Sequence, residues 1–290
     1  MEIDARLNHL QLLSSDPARC AAFYGRTFGM DVRRQGDGYL CINEDRRLIV
    51  ASGPDNRLGY AAYAFASEAG LQAQRRRIEL HTATASAQSP LLEAGAFAVT
   101  DPDGNVIAFG VAKPEQAIAD AGQAQLERSG DASAEPSPAP ARLQHFAVRS
   151  RDPAKLLPFY CDVLGFVVSD RVFDGDDFLR ACFLRTDVEH HALAIFHAPE
   201  QRHDHMSFET SDWTALRDWA DRCGRVGEKI VWGVGRHGPG DDVFFMVRDP
   251  DGNLAEISCE LEVCQPGRQA GRWPHEERTL NLWGSAILRS

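Results

Sequence analysis

The sequence predicts an α+β fold made of two similar halves, and three observations carry this prediction. The first is an internal repeat, in which four landmarks recur 136 residues apart: His9 and His145, Pro17 and Pro153, Phe23 and Phe159, Gly29 and Gly165. The second is a shared ending, since Asp-Pro-Asp-Gly-Asn stands at 101–105 and again at 249–253. The third is the pattern within each half, a strand, a helix and then three or more strands. A repeat of this kind sets the architecture, and this order of elements favours modules built on antiparallel sheet.

The first half opens with a strand and a capped helix. Leu7–Leu12 alternates apolar and polar residues, as a half-buried strand does. Ser15-Asp16-Pro17 is typical of a helix N-cap followed by proline at the first helical position, and we expect this helix to end at Gly29. Several short strands follow, and the half closes with the Asp101-Pro102-Asp103-Gly104 turn and an apolar strand. Residues 1–112 are therefore expected to form one module.

The second half follows the same plan. Leu143–Val148 is predicted to be a strand, and Asp152-Pro153 opens a helix that ends at Gly165. Between the halves, residues 113–141 combine Ala-rich sequence with a stretch rich in serine and proline, which is typical of a linker. Residues 142–260 then form the second module. A tail over 261–290 contains aromatic residues, which either pack in an ordinary way or form a flap over a pocket.

The end of the second half carries the most informative stretch of the chain. The apolar run Val243–Val247, the Asp249-Pro250-Asp251-Gly252 turn and Leu254–Ile257 predict a hairpin. Within its alternation Glu256 falls at an inward position, where a carboxylate is costly unless a cation meets it. A bound metal would do so, and an edge-strand glutamate in water is the alternative.

Composition and charge exclude several classes of function. The net charge of −11 argues against a nucleic-acid surface. No apolar stretch approaches the roughly 20 residues of a membrane span, and the N-terminus lacks the basic and apolar regions of a leader. The seven cysteines form no Cys-x-x-Cys pair, which favours reduced thiols and a cytoplasmic protein.

Three residues of the second half form a candidate metal site. A single histidine is more often a surface or core residue than a ligand, but His145, His205 and Glu256 each lie on a separate predicted strand. Two imidazoles and one carboxylate on one sheet make the facial triad that suits non-haem Fe(II), with positions left open for substrate and O₂.

With these residues in place, the chain resembles the vicinal oxygen chelate superfamily and, within it, the type I extradiol ring-cleaving dioxygenases. The Asp-Pro-Asp-Gly turn is common to many members, whereas the ordered set with the Gly-Arg-His-Gly loop is specific. The resemblance rests on the strand of His145 and on four further segments, 190–194, 205–209, 235–238 and 249–256. It implies tandem βαβββ modules of the glyoxalase/bleomycin resistance/extradiol dioxygenase fold, in two domains that each pair two modules into a curved sheet.

The resemblance also implies a cofactor, a reaction and a substrate. Fe(II), or more rarely Mn(II), would be held by His145, His205 and Glu256, which makes 142–260 the catalytic module. A catechol-type substrate would chelate that metal and be opened by O₂ beside one hydroxyl. The first half departs from the pattern, because it keeps His9 but has Tyr60 and Ala108 where the other ligands should be. Residues 1–112 are therefore expected to be a structural module without a metal.

Two further histidines receive roles from the resemblance. Catechol must lose protons to chelate a metal, and a positioned group should accept one and later return it. Histidine has a pKa suited to that task. The acid/base position falls on His191, with His190 as the fallback, and His237 corresponds to the histidine that hydrogen-bonds the metal-bound substrate oxygen. A pair of strand residues, one facing water and one facing inward, is the plain alternative for His190 and His191.

The predicted pocket is aromatic and departs from the family at two positions. A tyrosine usually stands nine residues after the loop histidine, and here that position is Met246. Homoprotocatechuate-type enzymes place an arginine five residues before that histidine, and here it is Trp232. These residues, with Phe183 and Phe245 as further linings, favour a hydrophobic or bulky catechol. The candidate cations for an acidic substrate are Arg236, Arg272 and Arg278.

Other functions stay open at this point. A metal-dependent isomerase, lyase or hydrolase of the same superfamily would use the open positions to polarise its substrate rather than to bind O₂. Such enzymes usually draw ligands from both modules, whereas here one module supplies all three. A metal-free binding module is disfavoured by the complete ligand set. We expect a small-molecule substrate, no nucleic-acid or membrane partner, and a homo-oligomer.

Overall fold

The computed structural model describes residues 3–43, 45–114, 138 and 141–289. The first half contains two consecutive βαβββ modules. The first module comprises β1 (Ala5–Ser14), α1 (Pro17–Phe28), β2 (Asp31–Gln35), β3 (Gly38–Asn43) and β4 (Arg46–Ser52). The second comprises β5 (Arg57–Phe65), α2 (Glu68–Glu79), β6 (Ala85–Ser86), β7 (Phe97–Thr100) and β8 (Val106–Val111).

The second half repeats this arrangement and adds a tail. Its first module contains β9 (Arg142–Ser150), α3 (Pro153–Pro158, continued by a π-helical turn over Phe159–Leu164), β10 (Val167–Phe173), β11 (Leu179–Arg185) and β12 (Leu193–His197). Its second contains β13 (Arg202–Glu209), α4 (Trp213–Arg225), β14 (Ile230–Arg236), β15 (Val243–Arg248) and β16 (Leu254–Cys259). The tail holds β17 (Gly271–Pro274) and α5 (Glu277–Leu280). The predicted α+β fold of tandem βαβββ modules, paired within each half, is confirmed.

Each half forms one mixed sheet rather than an antiparallel one. The strand orders are β2-β3-β4-β1-β5-β8-β7-β6 and β14-β15-β16-β13-β9-β12-β11-β10-β17. In every module the fourth strand returns beside the first and runs parallel to it, as β9 with β12 and β13 with β16. The helix after the first strand reverses the chain, so the hairpin strands that follow bring the last one back in parallel. The prediction of antiparallel sheet was therefore wrong for this pair in each module.

The helix ends are those that the sequence predicts. The side chain of Asp16 accepts a hydrogen bond from the backbone N–H of Arg19 at 3.1 Å, and Asp152 caps the equivalent helix. Proline follows each cap at the start of the helix. Gly29 (φ 61°) and Gly165 (φ 84°) end the two helical segments in the left-handed conformation that glycine adopts without steric cost.

The two halves are joined by a pair of reciprocal hydrogen bonds. The Tyr24 hydroxyl on α1 donates to Asp249 in the turn of the second half at 2.9 Å. Tyr160 in turn donates to Asp101 in the turn of the first half, also at 2.9 Å. All four side chains are buried, and one apolar core runs through both halves. Each Asp-Pro-Asp-Gly turn therefore does more than reverse its own strand, because its first aspartate also binds a tyrosine of the opposite half.

The predicted boundaries of the modules, the linker and the tail remain predictions. Most of the predicted linker, 115–137 and 139–140, lies outside the described residues. The tail begins after β16 and pairs with the sheet edge, since β17 runs parallel to β10. All seven cysteines are unpaired. Within the described part of the chain, no helix is long and apolar enough to cross a membrane.

Candidate metal centre

Three neighbouring strands in the middle of the second sheet carry the predicted ligands. β13 lies between β9 and β16, and Ser207 on β13 is paired with His145 on one side and with Glu256 on the other. His205 lies two residues before Ser207, and residues two apart on a strand point to the same face. The strand period and this register therefore place all three side chains on one face of the sheet.

The three ligand candidates are buried and close together. Their exposed fractions are 2% for His145, 4% for His205 and 0% for Glu256. One donor atom from each lies within 4.8 Å of the donor atoms of the other two. Nε2 of His145 is 3.5 Å from Oε1 of Glu256. The structure thus brings together residues that are 60 and 51 positions apart in the sequence.

A divalent metal ion fits this set. Both carboxylate oxygens of Glu256 are buried, and their ring-nitrogen neighbours, Nε2 of His145 and Nε2 of His237, are each 3.5 Å away, which is long for a hydrogen bond. A buried, uncompensated carboxylate is strongly destabilising, and a cation held by it and two imidazoles would satisfy its oxygens. Two neutral imidazoles and one carboxylate are the ligands that mononuclear Fe(II) and related metals use in proteins.

The protonation states also suit metal binding. Burial lowers the pKa of His145 to about 3, so its ring is neutral at pH 7. Burial alone would raise the pKa of Glu256, but the rings of His237, His145 and His205 bring it down to about 2. Glu256 is therefore ionised and His145 is neutral at pH 7, and these are the protonation states in which the two residues can bind a metal.

His205 is oriented by its neighbour. Its Nδ1 donates to Oδ1 of the buried Asp204 at 2.8 Å. That hydrogen bond sets the tautomer and leaves Nε2 as the nitrogen free to bind a metal. Asp204 was not among the site residues predicted from the sequence, although it stands directly before His205 in His203-Asp204-His205.

The His190-His191 pair is buried as a whole, so neither histidine faces water. His191 lines the cavity beside the candidate ligands, with its ring centroid 4.2 Å from that of His145. His190 lies behind it: the Nδ1 atoms of the two rings are 3.0 Å apart, and Nε2 of His190 is 3.1 Å from Asp170. Burial, followed by the neighbouring histidines, places the pKa of His191 well below its ordinary value.

His237 lies near the carboxylate oxygen of Glu256 that does not face His145. Its Nε2 is 3.5 Å from Oε2 of Glu256, and its Nδ1 contacts the carbonyl oxygen of Leu280 at 2.5 Å. The ring stacks on Phe244 with centroids 3.7 Å apart. Burial would lower the pKa of His237, but the carboxyl groups of Asp242 and Glu256 raise it.

A second group of potential ligands shares Glu256. The donor atoms of His237, Asp242 and Glu256 also lie within 4.8 Å of one another. Burial raises the pKa of Asp242 to about 7, so this carboxyl group is partly protonated near neutral pH. A protonated acid is a poor ligand, and the first group is therefore the better metal site.

The three predicted pocket residues line one small cavity with the histidines. Phe183, Trp232 and Met246 all face it, together with Phe196 and Pro239. Phe245 does not, because it adjoins Met246 on β15 and points to the other face, into the main core. The prediction that Phe245 lines the pocket was wrong for this reason.

The cavity is also lined by a cation that was not predicted from the sequence. Arg289, at the end of the tail, is 5% exposed and lines the cavity. The expected candidates lie elsewhere: Arg236 pairs with Glu260 and Asp241, and Arg272 pairs with the exposed Asp177. No local motif marks Arg289, since 84 residues separate it from His205.

The first half holds a counterpart of this centre with different side chains. His9 pairs with Ala62, which pairs with Ala108, in the register that relates His145, Ser207 and Glu256. Tyr60 takes the position of His205. Nε2 of His9 lies 2.8 Å from the Ser89 hydroxyl and 3.2 Å from that of Tyr60. Hydrogen bonds to hydroxyl groups thus satisfy the ring nitrogen that would face a metal.

Comparison with known protein families agrees with this repeat. The model of the Glyoxalase/Bleomycin resistance protein/Dioxygenase superfamily matches residues 6–109 and again 142–257. The chain belongs to this superfamily. The two matches coincide with the two halves, so the superfamily relationship covers both sheets and leaves the tail outside.

Curated relatives within the superfamily span nearly the whole chain. The chain is 25% identical to metapyrocatechase 2 of Cupriavidus necator over 294 aligned positions, which cover 97% of this chain and 89% of the relative. It is 28% identical to a biphenyl-2,3-diol 1,2-dioxygenase of Paraburkholderia xenovorans over 298 positions, covering 98% and 95%.

Solved structures share the fold. A variant of homoprotocatechuate 2,3-dioxygenase from Brevibacterium fuscum superimposes with a TM-score of 0.78 at 21% identity, covering 97% of this chain and 79% of the other. The Mn(II)-bound glyoxalase of Novosphingobium aromaticivorans gives 0.74 at 23% identity, covering 97% and 91%. Both structures therefore share the overall fold described above.

Proposed function

We propose that this protein is an extradiol dioxygenase, which opens a catechol-type ring with O₂ at a metal held by His145, His205 and Glu256. One observation carries the proposal. The fully buried carboxylate of Glu256 has a donor atom within 4.8 Å of those of His145 and His205, beside a cavity that two more histidines and aromatic side chains line. Relatives that span the chain are named for ring cleavage, as metapyrocatechase 2 and biphenyl-2,3-diol 1,2-dioxygenase.

We propose Fe(II) as the metal, with Mn(II) as the alternative. When bound, the ion would hold the catechol oxygens and activate the substrate toward O₂. The residues present determine how many positions remain: one carboxylate and two imidazoles leave the rest of the coordination sphere free.

His191 would act as the acid/base. Its buried ring is neutral, so it can accept a proton from a catechol hydroxyl as the substrate binds beside His145. The same ring could return the proton when the ring-opened product forms. Positioned proton transfer of this kind contributes about 10²–10⁴-fold to a rate.

His237 would hold the substrate oxygen on the other side of the centre. With Nδ1 directed at the Leu280 carbonyl, Nε2 is directed toward Glu256 and the space in front of it. The carboxyl groups of Asp242 and Glu256 raise its pKa, which favours the protonated ring that donates through both nitrogens. A developing negative charge on a substrate oxygen would be stabilised there.

The aromatic ring of the substrate would pack on Phe183, Trp232 and Met246. These side chains exclude water from the cavity and leave the catechol oxygens to the histidines. We propose a substrate without a carboxylate, because the one arginine that lines the cavity within the described chain, Arg289, is paired with Asp204. The first half then serves as a structural domain, and residues 261–290 cover the site.

We further propose a cytoplasmic homo-oligomer. Seven unpaired cysteines suit a reducing compartment. Strand β14 lies at the edge of its sheet and leaves Ile230, Val231 and Val234 between 37% and 41% exposed. An apolar edge strand favours pairing with a second copy. Light scattering after gel filtration measures the mass and tests this part of the proposal.

Oxygen isotope labelling tests the proposed reaction. Protein purified anaerobically and loaded with Fe(II) is exposed to ¹⁸O₂ with a panel of catechols, plain and alkyl- or aryl-substituted. We expect one O₂ consumed per ring opened and both labelled atoms in the product. His145→Ala should abolish uptake, and His197→Ala is the matched control, because His197 lies on β12 and contacts Arg180 rather than the cavity.

Two outcomes would contradict the proposed reaction. Metal binding without O₂ uptake on any catechol would point to an isomerase, lyase or hydrolase. If the protein bound no divalent metal and bound catechol without converting it, the result would point to a binding module.

A further inference from the structure

The C-terminal tail reaches into the metal centre through a buried ion pair. Nη2 of Arg289 donates to Oδ1 of Asp204 at 2.6 Å, and Nε donates to Oδ2 at 3.2 Å. The side chains are 2% and 0% exposed. Asp204 is the residue that orients His205, so the end of the chain lies two contacts away from a proposed metal ligand.

Asp204 has its capacity to accept hydrogen bonds fully used. Oδ1 accepts from Nδ1 of His205 and from Arg289, and Oδ2 accepts from Arg149 at 2.6 Å and from Arg289. A carboxylate offers about four acceptor positions, and four donor contacts fill them here. Both arginines and the imidazole thereby fix the plane of this carboxylate.

Arg289 is itself held in a defined place. Its guanidinium carbon lies 4.3 Å from the ring centroid of Phe196 and 5.2 Å from that of Trp232. Trp232 in turn donates from its indole N–H to the carbonyl of Ser285 on the tail at 3.0 Å. The cavity wall and the tail therefore hold the guanidinium together, and it enters the site as a preorganised donor.

Loss of Arg289 would leave the Asp204 carboxylate with a single cation in a fully buried place. Breaking one side of a buried charge pair is strongly destabilising because the remaining charge lacks compensation. The carboxylate can then be satisfied by turning toward Arg149, which moves Oδ1 away from the imidazole. His205 would lose the hydrogen bond that selects its tautomer, and histidines without such a partner bind metals more weakly.

We infer that Arg289 is a positioning residue for the metal centre, which acts through Asp204 to hold His205 ready for the metal. The tail is then part of the site that binds the metal, in addition to its proposed role as a cover. This inference rests on the proposed ligand set and does not depend on which reaction the metal supports.

Metal affinity measured without substrate tests the inference. The dissociation constants for Mn(II) and Fe(II) are determined anaerobically on the full chain, with no catechol present. Arg289→Gln should weaken binding by about 10–100-fold, the range typical of lost outer-shell partners. Arg272→Gln is the matched control, because that tail arginine contacts the exposed Asp177 and the ring of Phe173. Its affinity should equal that of the unmutated protein.

A double-mutant cycle shows whether Arg289 acts through Asp204. Asp204→Asn should also weaken metal binding, and the double variant should bind no more weakly than Asp204→Asn alone. Arg289→Lys, which keeps the charge, should recover part of the affinity. A chain that ends at Leu288 removes the same side chain without a substitution and should reproduce Arg289→Gln. Melting temperatures identify any variant that fails to fold.

The inference would be overturned if the two substitutions raised the metal dissociation constant of the double variant by the product of their separate effects. An unchanged dissociation constant for Arg289→Gln would also overturn it. The outcome is separate from the proposed reaction. If the affinities follow the cycle but no catechol is cleaved, the positioning role stands and the proposed reaction fails.

Discussion

Nε2 of His145 and Oε1 of Glu256 lie 3.5 Å apart, on strands that flank Ser207 from opposite sides. Both side chains are buried, and the separation is one that two ligand bonds of about 2.1 Å can span. The distance is long for a hydrogen bond, so the pair gains little without a third partner. A cation between them would turn an unfavourable buried charge into a ligand.

His191 is expected to act in proton transfer rather than as a ligand. His191→Phe keeps an aromatic ring but removes both nitrogens, so the metal should remain while turnover falls by roughly 10²–10⁴-fold. Metal content and steady-state rates measured on the same preparation check this. His197→Phe serves as the control. An unchanged rate, or loss of the metal, would show that the role is assigned wrongly.

The first half is expected to bind no metal. Ala108 stands where the carboxylate should be, and the ring nitrogen of His9 that would face a metal is within hydrogen-bonding distance of Ser89 and Tyr60. Elemental analysis should therefore give one tightly bound equivalent per chain, unaffected by His9→Ala in a folded protein. Two equivalents, one of them lost in that variant, would refute the expectation.

His9 should make the free energy of unfolding depend on pH in the acidic range. Burial and the nearby Arg47 lower its pKa from 6.5 to about 3. Between these values the unfolded chain binds a proton that the folded chain does not, so the free energy of unfolding falls as pH decreases from about 6.5 to 3. The contribution at the acid end is on the order of a few kcal/mol.

Urea unfolding at several pH values checks this effect of His9. His9→Gln should make the pH dependence in that window less steep, whereas replacement of the exposed His81 by glutamine should leave it unchanged. Identical slopes for His9→Gln and the unmutated protein would contradict the assignment.

Met246 is expected to set the preference among catechols. It is fully buried on β15 and lines the cavity. Its strand partners are Trp232 on β14 and Glu256 on β16. A tyrosine there would add a hydroxyl group and bulk near the ring of the substrate. Met246→Tyr should therefore raise KM for the bulkiest accepted substrate more than for plain catechol. Equal changes for both, or an acidic catechol as the best substrate of the unmutated enzyme, would show that this view of the cavity is wrong.

The ligand candidates could be predicted from the sequence because strand alternation and the internal repeat indicate their positions. An alternating strand fixes which residues share a face, and the repeat relates His145 to His9 and Glu256 to Ala108. The same rule shows why Phe245 was misplaced: it adjoins Met246, so only one of the two can face the cavity.

Long-range contacts explain what the sequence left out. Arg289 enters the site from a tail with no periodic pattern, and its partner Asp204 is 85 positions away. The reciprocal bonds from Tyr24 and Tyr160 to the turns of the opposite half depend on how the halves pack. Contacts of this kind are set by tertiary packing and have no local signal.

The most direct test of the whole account is the metal content of Glu256→Ala beside that of the unmutated protein, both purified anaerobically and supplied with Fe(II). Glu256 provides the only charge among the three proposed ligands, and its removal leaves two neutral imidazoles. We expect close to one equivalent of iron in the unmutated protein and almost none in Glu256→Ala, with O₂ uptake on catechol lost in parallel and the melting curve still cooperative. Full iron occupancy in a folded Glu256→Ala protein would contradict the proposed centre.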